Sequence, residues 1–428
     1  NTEFFSSFEP GDPRPTWTDT VETGPSGKPK TGGVTSADPT RIAGDISDQI
    51  VEVTANGENT GAGEVAENLV DFDPGSKWLV FEPTGWAQFR FDQPVTITRY
   101  ALTSANDHPE RDPRDWTLLG SVDGEDWAEI DSRQGESFSD RFQTKEYAVD
   151  TGTAYRYYRL DITRNGSGDI VQLAEVQFAG KDAKPSKPHM GTAVGNGPTS
   201  APAAKTKVGF TGTHALRFVG SHSGKGRAYS YNKVFDVDVK VTPKTTLSYV
   251  IFPELLGDLT YPSTYVAVDL AFTDGTYLSD LSAKDRRGVP VHPRRQGEAK
   301  TLYADQWNNI VADIGKVAAG KTVDRILVGY DNPAAGDGGF RGWIDDIRLT
   351  AKQPEKRYDS VADYVITTRG THSSGAFSRG NNFPATAVPH GFNFWSPMTD
   401  AGSISWLYSY HAHNNAENKP DIEAFTVS

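Results

Sequence analysis

Cysteine is absent from the 428 residues, and methionine occurs only twice. Without thiols there is no disulfide framework, no cysteine nucleophile and no thiolate zinc site. The chemistry left to the chain is that of oxygen and imidazole. Long apolar runs are missing as well. No stretch approaches the roughly 18 residues a membrane helix needs, and the mean hydropathy is −0.54. A surplus of positive charge is also lacking: Lys and Arg number 43 against 56 Asp and Glu, a formal net charge of −13. Nucleic-acid surfaces are built from clustered Lys and Arg, so the composition argues against nucleic acid as a partner and against a membrane span.

What the sequence holds in quantity is turn formers and rings. There are 42 Gly and 26 Pro, and only 23% of residues are charged, which favours a turn-rich β protein. Aromatics make up 11%, with 9 Trp and 17 Tyr. Flat rings stack on sugar faces, and buried β-sandwich cores use the same residues. An acidic, cysteine-free, aromatic chain of this kind accords with a secreted bacterial protein that handles carbohydrate. Numbering from Asn1 rather than Met points to a processed start with any secretory leader removed. At roughly 150 residues per domain, the length predicts about three domains.

Residues 1–45 read as an irregular arm. Phe4, Phe5 and Phe8 stand in a segment of Gly, Pro, Thr and Lys that cannot build its own core, so the phenylalanines are expected to dock elsewhere on the protein. Across 46–180, short alternating runs (87–91, 95–102, 116–121, 156–162, 173–178) predict an antiparallel sandwich. Residues 181–207, rich in Lys, Pro, Gly, Ser and Ala, read as a linker. Strand patterns at 233–241, 246–252, 265–272, 325–330 and 342–349 predict a second, jelly-roll-like sandwich over 208–350, similar to carbohydrate-binding ones. After a charged break at 352–356, residues 357–428 form a segment dense in Gly, Asn, Pro and rings. The fold class is therefore mainly β, as several sandwiches. The last residues fall within a strand-like run, so the polypeptide is expected to continue.

Individual residues carry further expectations. Asp123-Gly124 supplies the positive φ of a hairpin turn. Trp78, Trp86, Trp116 and Trp127 read as core rather than as a sugar platform. The loop 104–112 is the more polar candidate for sugar contact, although Arg111 and Asp112 there also fit a structural ion pair. Asn165-Gly166-Ser167 is a glycosylation sequon without meaning in a bacterial protein. Asp345 and Asp346 are adjacent on a strand, which points them to opposite faces and prevents a shared substrate. His411 and His413 share a strand side but lack a third zinc ligand nearby.

Asn68 to Trp78, Gly85-Trp86-Ala87-Gln88-Phe89, the stretch 104–121, Tyr157-Tyr158-Arg159-Leu160 and Ala174-Glu175-Val176-Gln177-Phe178 together resemble the discoidin, or factor 5/8 type C, fold. That fold includes the family 32 carbohydrate-binding modules. Many of its members hold a structural Ca²⁺, and the resemblance implies Asp71, Asp73, Ser76 and Glu175 as side-chain ligands with Asn68 as a carbonyl donor. Calcium takes six to eight hard oxygens. A second reading stays open, in which Asp71 and Asp73 merely cap a turn.

Gly370-Thr371-His372 and the run 380–399, ending in Ser396-Pro397-Met398-Thr399, resemble the opening of the N-terminal domain of glycoside hydrolase family 92, the calcium-dependent exo-α-mannosidases. Ala385-Thr386 stands where Gly-Ala is usual, and His390 where Phe is common. The resemblance implies inverting hydrolysis of terminal α-linked mannose, with α-1,2 or mannosyl-phosphate linkages among the options. Two carboxylates flank the bond in such a reaction. In the family they sit on an (α/α)₆ barrel that follows, so no residue here is assigned as catalytic, and the barrel is the expected partner. Trp406, Tyr410 and His411, with Trp395 and His390, are the implied contacts to an α-mannoside glycan. The competing expectation is a non-catalytic carbohydrate-binding protein or adhesin.

Overall fold

The computed structural model describes residues 2–184, 187–199, 205–222, 224–351 and 358–365, together with 372–373, 378–379, 385, 395–398, 417–419 and 424–427. The chain divides into two compact units, Thr40–Ser186 and a second built from Asn1–Pro39 with Lys187–Ser428. Both are antiparallel β structures, as the alternation predicts. No helix among the described residues is long and apolar enough to cross a membrane.

In the Thr40–Ser186 unit a five-stranded sheet runs in the order Ile50–Ala55, Gly85–Val95, Tyr155–Asn165, Pro113–Ser121, Ala128–Arg133. Facing chain segments form a three-stranded sheet, with Ile97–Thr103 between Thr144–Ala148 and Glu175–Gly180. A short ribbon pairs Trp78–Val80 with Val171–Leu173. Strict alternation in Gly85–Val95 sends Ala87, Phe89 and Phe91 inward, where Phe89 and Phe91 meet Phe178 edge-on. Each such ring removes enough apolar surface from water to contribute about 1.5–3 kcal/mol. Trp78 and Trp116 are fully buried, and the indole N–H of Trp116 donates to the Tyr100 hydroxyl at 2.8 Å. Gly124 adopts φ +84°, the left-handed turn position expected of Asp123-Gly124.

The second unit pairs a seven-stranded sheet with a four-stranded one. In the larger, Gly191–Gly195, Ala215–His222, Gly338–Ala351, Thr245–Pro253 and Asn308–Ala312 lie side by side. The smaller orders Val266–Phe272, Thr322–Ala335, Gly226–Lys240 and Thr31–Gly32. Residues 1–39 of the arm belong to this sandwich, whereas 40–45 belong to the Thr40–Ser186 unit. Phe4–Ser6 pairs with Gly338–Ala351, and Val34–Thr35 pairs with Ala215–His222. Phe4 and Phe8 pack on Phe235, ring centroids 4.9 and 5.7 Å apart. A segment too poor to make a core thus completes someone else's. Residues read as linker also enter the fold: Gly191–Gly195 is a strand, and a Cβ on Gly195 would meet the Trp343 ring at 3.0 Å. Packing against Trp343 thus requires a small residue at Gly195.

Asp345 and Asp346 depart from the sequence argument. Alternation would separate them, but the register slips between the pairs Ser248–Arg348 and Val250–Asp345, and Asp346 takes φ +50°. This bulge inserts a left-handed residue into the strand. Both carboxylates consequently reach the same neighbour, Thr211, at 3.2 Å each.

Candidate functional site

The expected metal ligands lie around the start of the Glu175–Gly180 strand. Glu175 is buried, and the Asp71 carboxylate is near enough to act on its charge. Burial pushes the Glu175 carboxyl well above its ordinary range; the Arg41 guanidinium opposes this and the Asp71 charge adds to it. Arg41 donates to Glu175 Oε2 at 3.1 Å and to Asp45 Oδ2 at 2.8 Å while stacking on Phe72 at 4.1 Å. Among the described residues Glu175 Oε1 receives no donor. Ser76 Oγ donates to Asp71 Oδ2 at 2.7 Å.

The donor chemistry of Asp71, Glu175 and Ser76 fits a hard cation, since a buried, undonated carboxylate oxygen beside a second carboxylate is what such an ion neutralises. Asp71 and Asp73 both cap the turn as well, Asp71 Oδ1 accepting from the Asp73 N–H at 2.9 Å. Asp73 Oδ1 accepts from the Gly75 N–H at 2.8 Å, a turn cap, and the Asn68 amide donates to the carbonyls of Gly63 and Lys77 at 2.8 Å. Among the described residues no three or more His, Cys, Asp or Glu side chains converge on one point.

The loop 104–112 is anchored to its neighbours by polar contacts. Lys77, itself buried, extends Nζ to Asp107 Oδ1 at 2.7 Å, and Gln172 Nε2 donates to the Asp107 carbonyl at 2.6 Å. Burial alone would raise the Asp107 carboxyl, but Lys77 and Gln172 outweigh it and hold it below the usual range. Asp112 is buried, and its ion-pair partner is Arg141 rather than Arg111. The turn 165–168 packs on this loop, with the Ser167 N–H donating to the Glu110 carbonyl at 3.0 Å. Asn165 is buried and its amide donates to Gly168 and Ile170, so the sequon nitrogen is spent inside the fold. His108, at φ +45°, places Nδ1 2.8 Å from Glu110 Oε1 at the surface. Phe81 follows the Trp78–Val80 strand and is 61% exposed. Sequence reasoning passed over it, because an isolated Phe after an apolar strand looks like core. Its exposure is visible only once the ribbon ends.

Trp86 and Trp127 are not core. They bracket the Arg159 guanidinium at 4.4 and 4.3 Å on the outer face of the five-stranded sheet, with Gln88 Oε1 accepting from Arg159 at 2.7 Å. One face of each ring is thereby occupied. Of the implied mannoside contacts, His390, Trp406, Tyr410 and His411 lie outside the described residues, and Trp395 stands in the strand Trp395–Met398, paired with Ala424–Val427.

Several known proteins are similar to part of this chain. A peptide-N(4)-(N-acetyl-beta-glucosaminyl)asparagine amidase of Arabidopsis thaliana is 35% identical over 137 residues, 29% of this chain and 19% of that protein. The chain thus spans about a fifth of the length of that curated relative. Among solved structures, a CBM32 module from Clostridium perfringens in complex with GalNAc-beta-1,3-galactose is 16% identical, covers 31% of this chain and 96% of its own, and has a TM-score of 0.28. A second, from a family 31 glycoside hydrolase of Clostridium perfringens, is 18% identical over 33% of this chain and 99% of its own, at 0.30. Residues 52–176 match the F5/8 type C domain. The sandwich within Thr40–Ser186 thus contains a domain of the F5/8 type C, or discoidin, type.

Proposed function

We propose that this chain is the glycan-recognising portion of a secreted, calcium-dependent exo-α-mannosidase, with the F5/8 type C domain as its carbohydrate-binding module. The observation that carries the reading is the presence, in one chain, of that domain and of the family 92-like run 380–399. The module's sugar face is the loop end around Phe81, whose exposed ring offers a stacking surface, with the polar His108–Glu110 pair of the loop 104–112 as a second surface candidate. Calcium is held by Asp71, Glu175 and Ser76, where it supplies the positive charge that Arg41 provides to only one Glu175 oxygen. Hydrolysis of terminal α-linked mannose, including α-1,2 or mannosyl-phosphate linkages, falls to an acid and base on an α/α barrel that partners this chain.

Support for the alternative, a non-catalytic binding protein or adhesin, is that the two sandwiches account for most of the chain. The test uses the chain with its native flanking sequence on α-mannosides. Release of free mannose, abolished by a chelator and restored by Ca²⁺, supports the hydrolase. Glycan binding with no release at any calcium concentration sinks it in favour of binding alone.

A further inference from the structure

The second unit carries an open cleft of about 960 Å³ between the turn 282–288, the strand ends at Thr246 and Thr350, and the short helix Gly315–Ala318. Its floor is rigidly built. Asp285 is buried, and its Oδ1 accepts the N–H groups of Arg287 and Val289 at 2.8 and 3.0 Å, while Oδ2 accepts from Gln296 at 3.1 Å. The Arg286 N–H donates to Val311 at 3.1 Å, tying the turn to the neighbouring strand. Gly288, at φ +80°, closes the turn in a conformation that a side chain would strain.

This construction sorts the charges. The acid is turned inward and saturated by donors, whereas Lys284 and Arg286 on either side of it project exposed into the cleft wall. The other charged pair of the lining cancels itself, with Lys316 Nζ 3.2 Å from Asp313. Further along the chain Arg294 and Arg295 pair with Glu298, and Arg287 donates to the Thr301 carbonyl. Among the described residues neither Lys284 nor Arg286 forms an ion pair, in a chain whose net charge is −13. Ser282, Thr246 and Thr350 line the same space, the Thr246 hydroxyl donating to the Thr350 carbonyl at 3.2 Å, and among the described residues no aromatic ring lines it.

We propose that this cleft binds an acidic saccharide, its anionic group held by Arg286 and Lys284 and its hydroxyls by Ser282, Thr246 and Thr350. A guanidinium fork matches the two oxygens of a carboxylate, and an ammonium completes the neutralisation. Hydroxyl-rich walls without rings select a ligand that hydrogen-bonds at its edges rather than one that stacks. This site is independent of the module's sugar face and of any hydrolytic activity.

The test is calorimetric titration of the whole chain with trigalacturonic acid, a neutral galactose trisaccharide and inorganic phosphate, at low and moderate salt. The acidic trisaccharide is expected to bind about tenfold or more tighter than the neutral one, to weaken with salt, and to lose about tenfold or more in Lys284→Ser/Arg286→Ser. Both side chains are exposed, so the double variant should keep its melting temperature. Equal affinity for neutral and acidic trisaccharides, no binding of the acidic one, or binding unchanged in the double variant overturns the proposal. Phosphate binding as tightly as the trisaccharide overturns the saccharide assignment and leaves a free-anion site.

Discussion

Thr211 ties together the two carboxyl groups of Asp345 and Asp346, its N–H donating to Asp345 Oδ2 and its hydroxyl to Asp346 Oδ2, both at 3.2 Å. Burial raises Asp346 to about 6, with Thr211 and Arg348 opposing and Asp12 and Glu9 adding to it. Burial and the neighbouring Asp346 hold Asp345 well above its ordinary range, against the donating N–H groups of Asp346, Thr211 and Phe210. The bulge therefore brings two carboxyl groups together where the arm, the 209–214 turn and the Gly338–Ala351 strand meet.

A carboxyl raised on folding costs stability once it ionises. The cost is absent below the ordinary carboxylate range near pH 4 and grows as pH climbs through about 6. Asp346→Asn keeps the acceptor for Thr211 and tolerates the left-handed backbone. The variant should match the parent at pH 4 and exceed it at pH 7.5 by about 1–3 kcal/mol in the transition of the second unit. Calorimetry across pH 4–8 checks this, and a difference that does not change with pH refutes the assignment.

Calcium should raise the unfolding temperature of the Thr40–Ser186 unit alone, since its donors Asp71, Ser76 and Glu175 all lie there. At a hundredfold excess over Kd the gain is about 2.7 kcal/mol. Glu175→Gln should abolish the response, while Asp73→Asn, which retains the turn cap to Gly75, should weaken it far less. An equal loss in both variants would place Asp73 on the metal.

Phe8 is buried against Phe235 in the core of the second unit. Phe8→Ala should cost about 3–5 kcal/mol in that unit and leave the unfolding of Thr40–Ser186 unchanged. Denaturant unfolding that resolves two transitions, before and after substitution, reads the effect. A shift in both transitions contradicts the division into separate cores.

Phe81→Ala should abolish glycan binding by the module with little change in melting temperature, because the ring is 61% exposed. Arg159→Ala should do the reverse. It removes a cation bracketed by Trp86 and Trp127, each contact being worth about 0.5–1 kcal/mol, and should leave glycan binding intact. A glycan array probed with both variants separates the loop end from the outer sheet face.

The sequence by itself determined that this is a β protein of several sandwiches. Alternation in 87–91, 116–121 and 156–162 is a local property, and the strands Gly85–Val95, Pro113–Ser121 and Tyr155–Asn165 contain those runs. It also determined that Phe4 and Phe8 needed a partner, since nothing near them in the chain could bury them. Only the tertiary structure decided which partner: Phe235, more than two hundred residues away, with the whole F5/8 type C domain lying between them in sequence. Likewise the pairing of Arg41 with Glu175 joins residues 134 apart, and the bulge at Asp346 overrides the period that local pattern assigns. Strand register, long-range ion pairs and the exposure of Phe81 depend on which segments meet, and a one-dimensional pattern specifies faces of strands but not their neighbours.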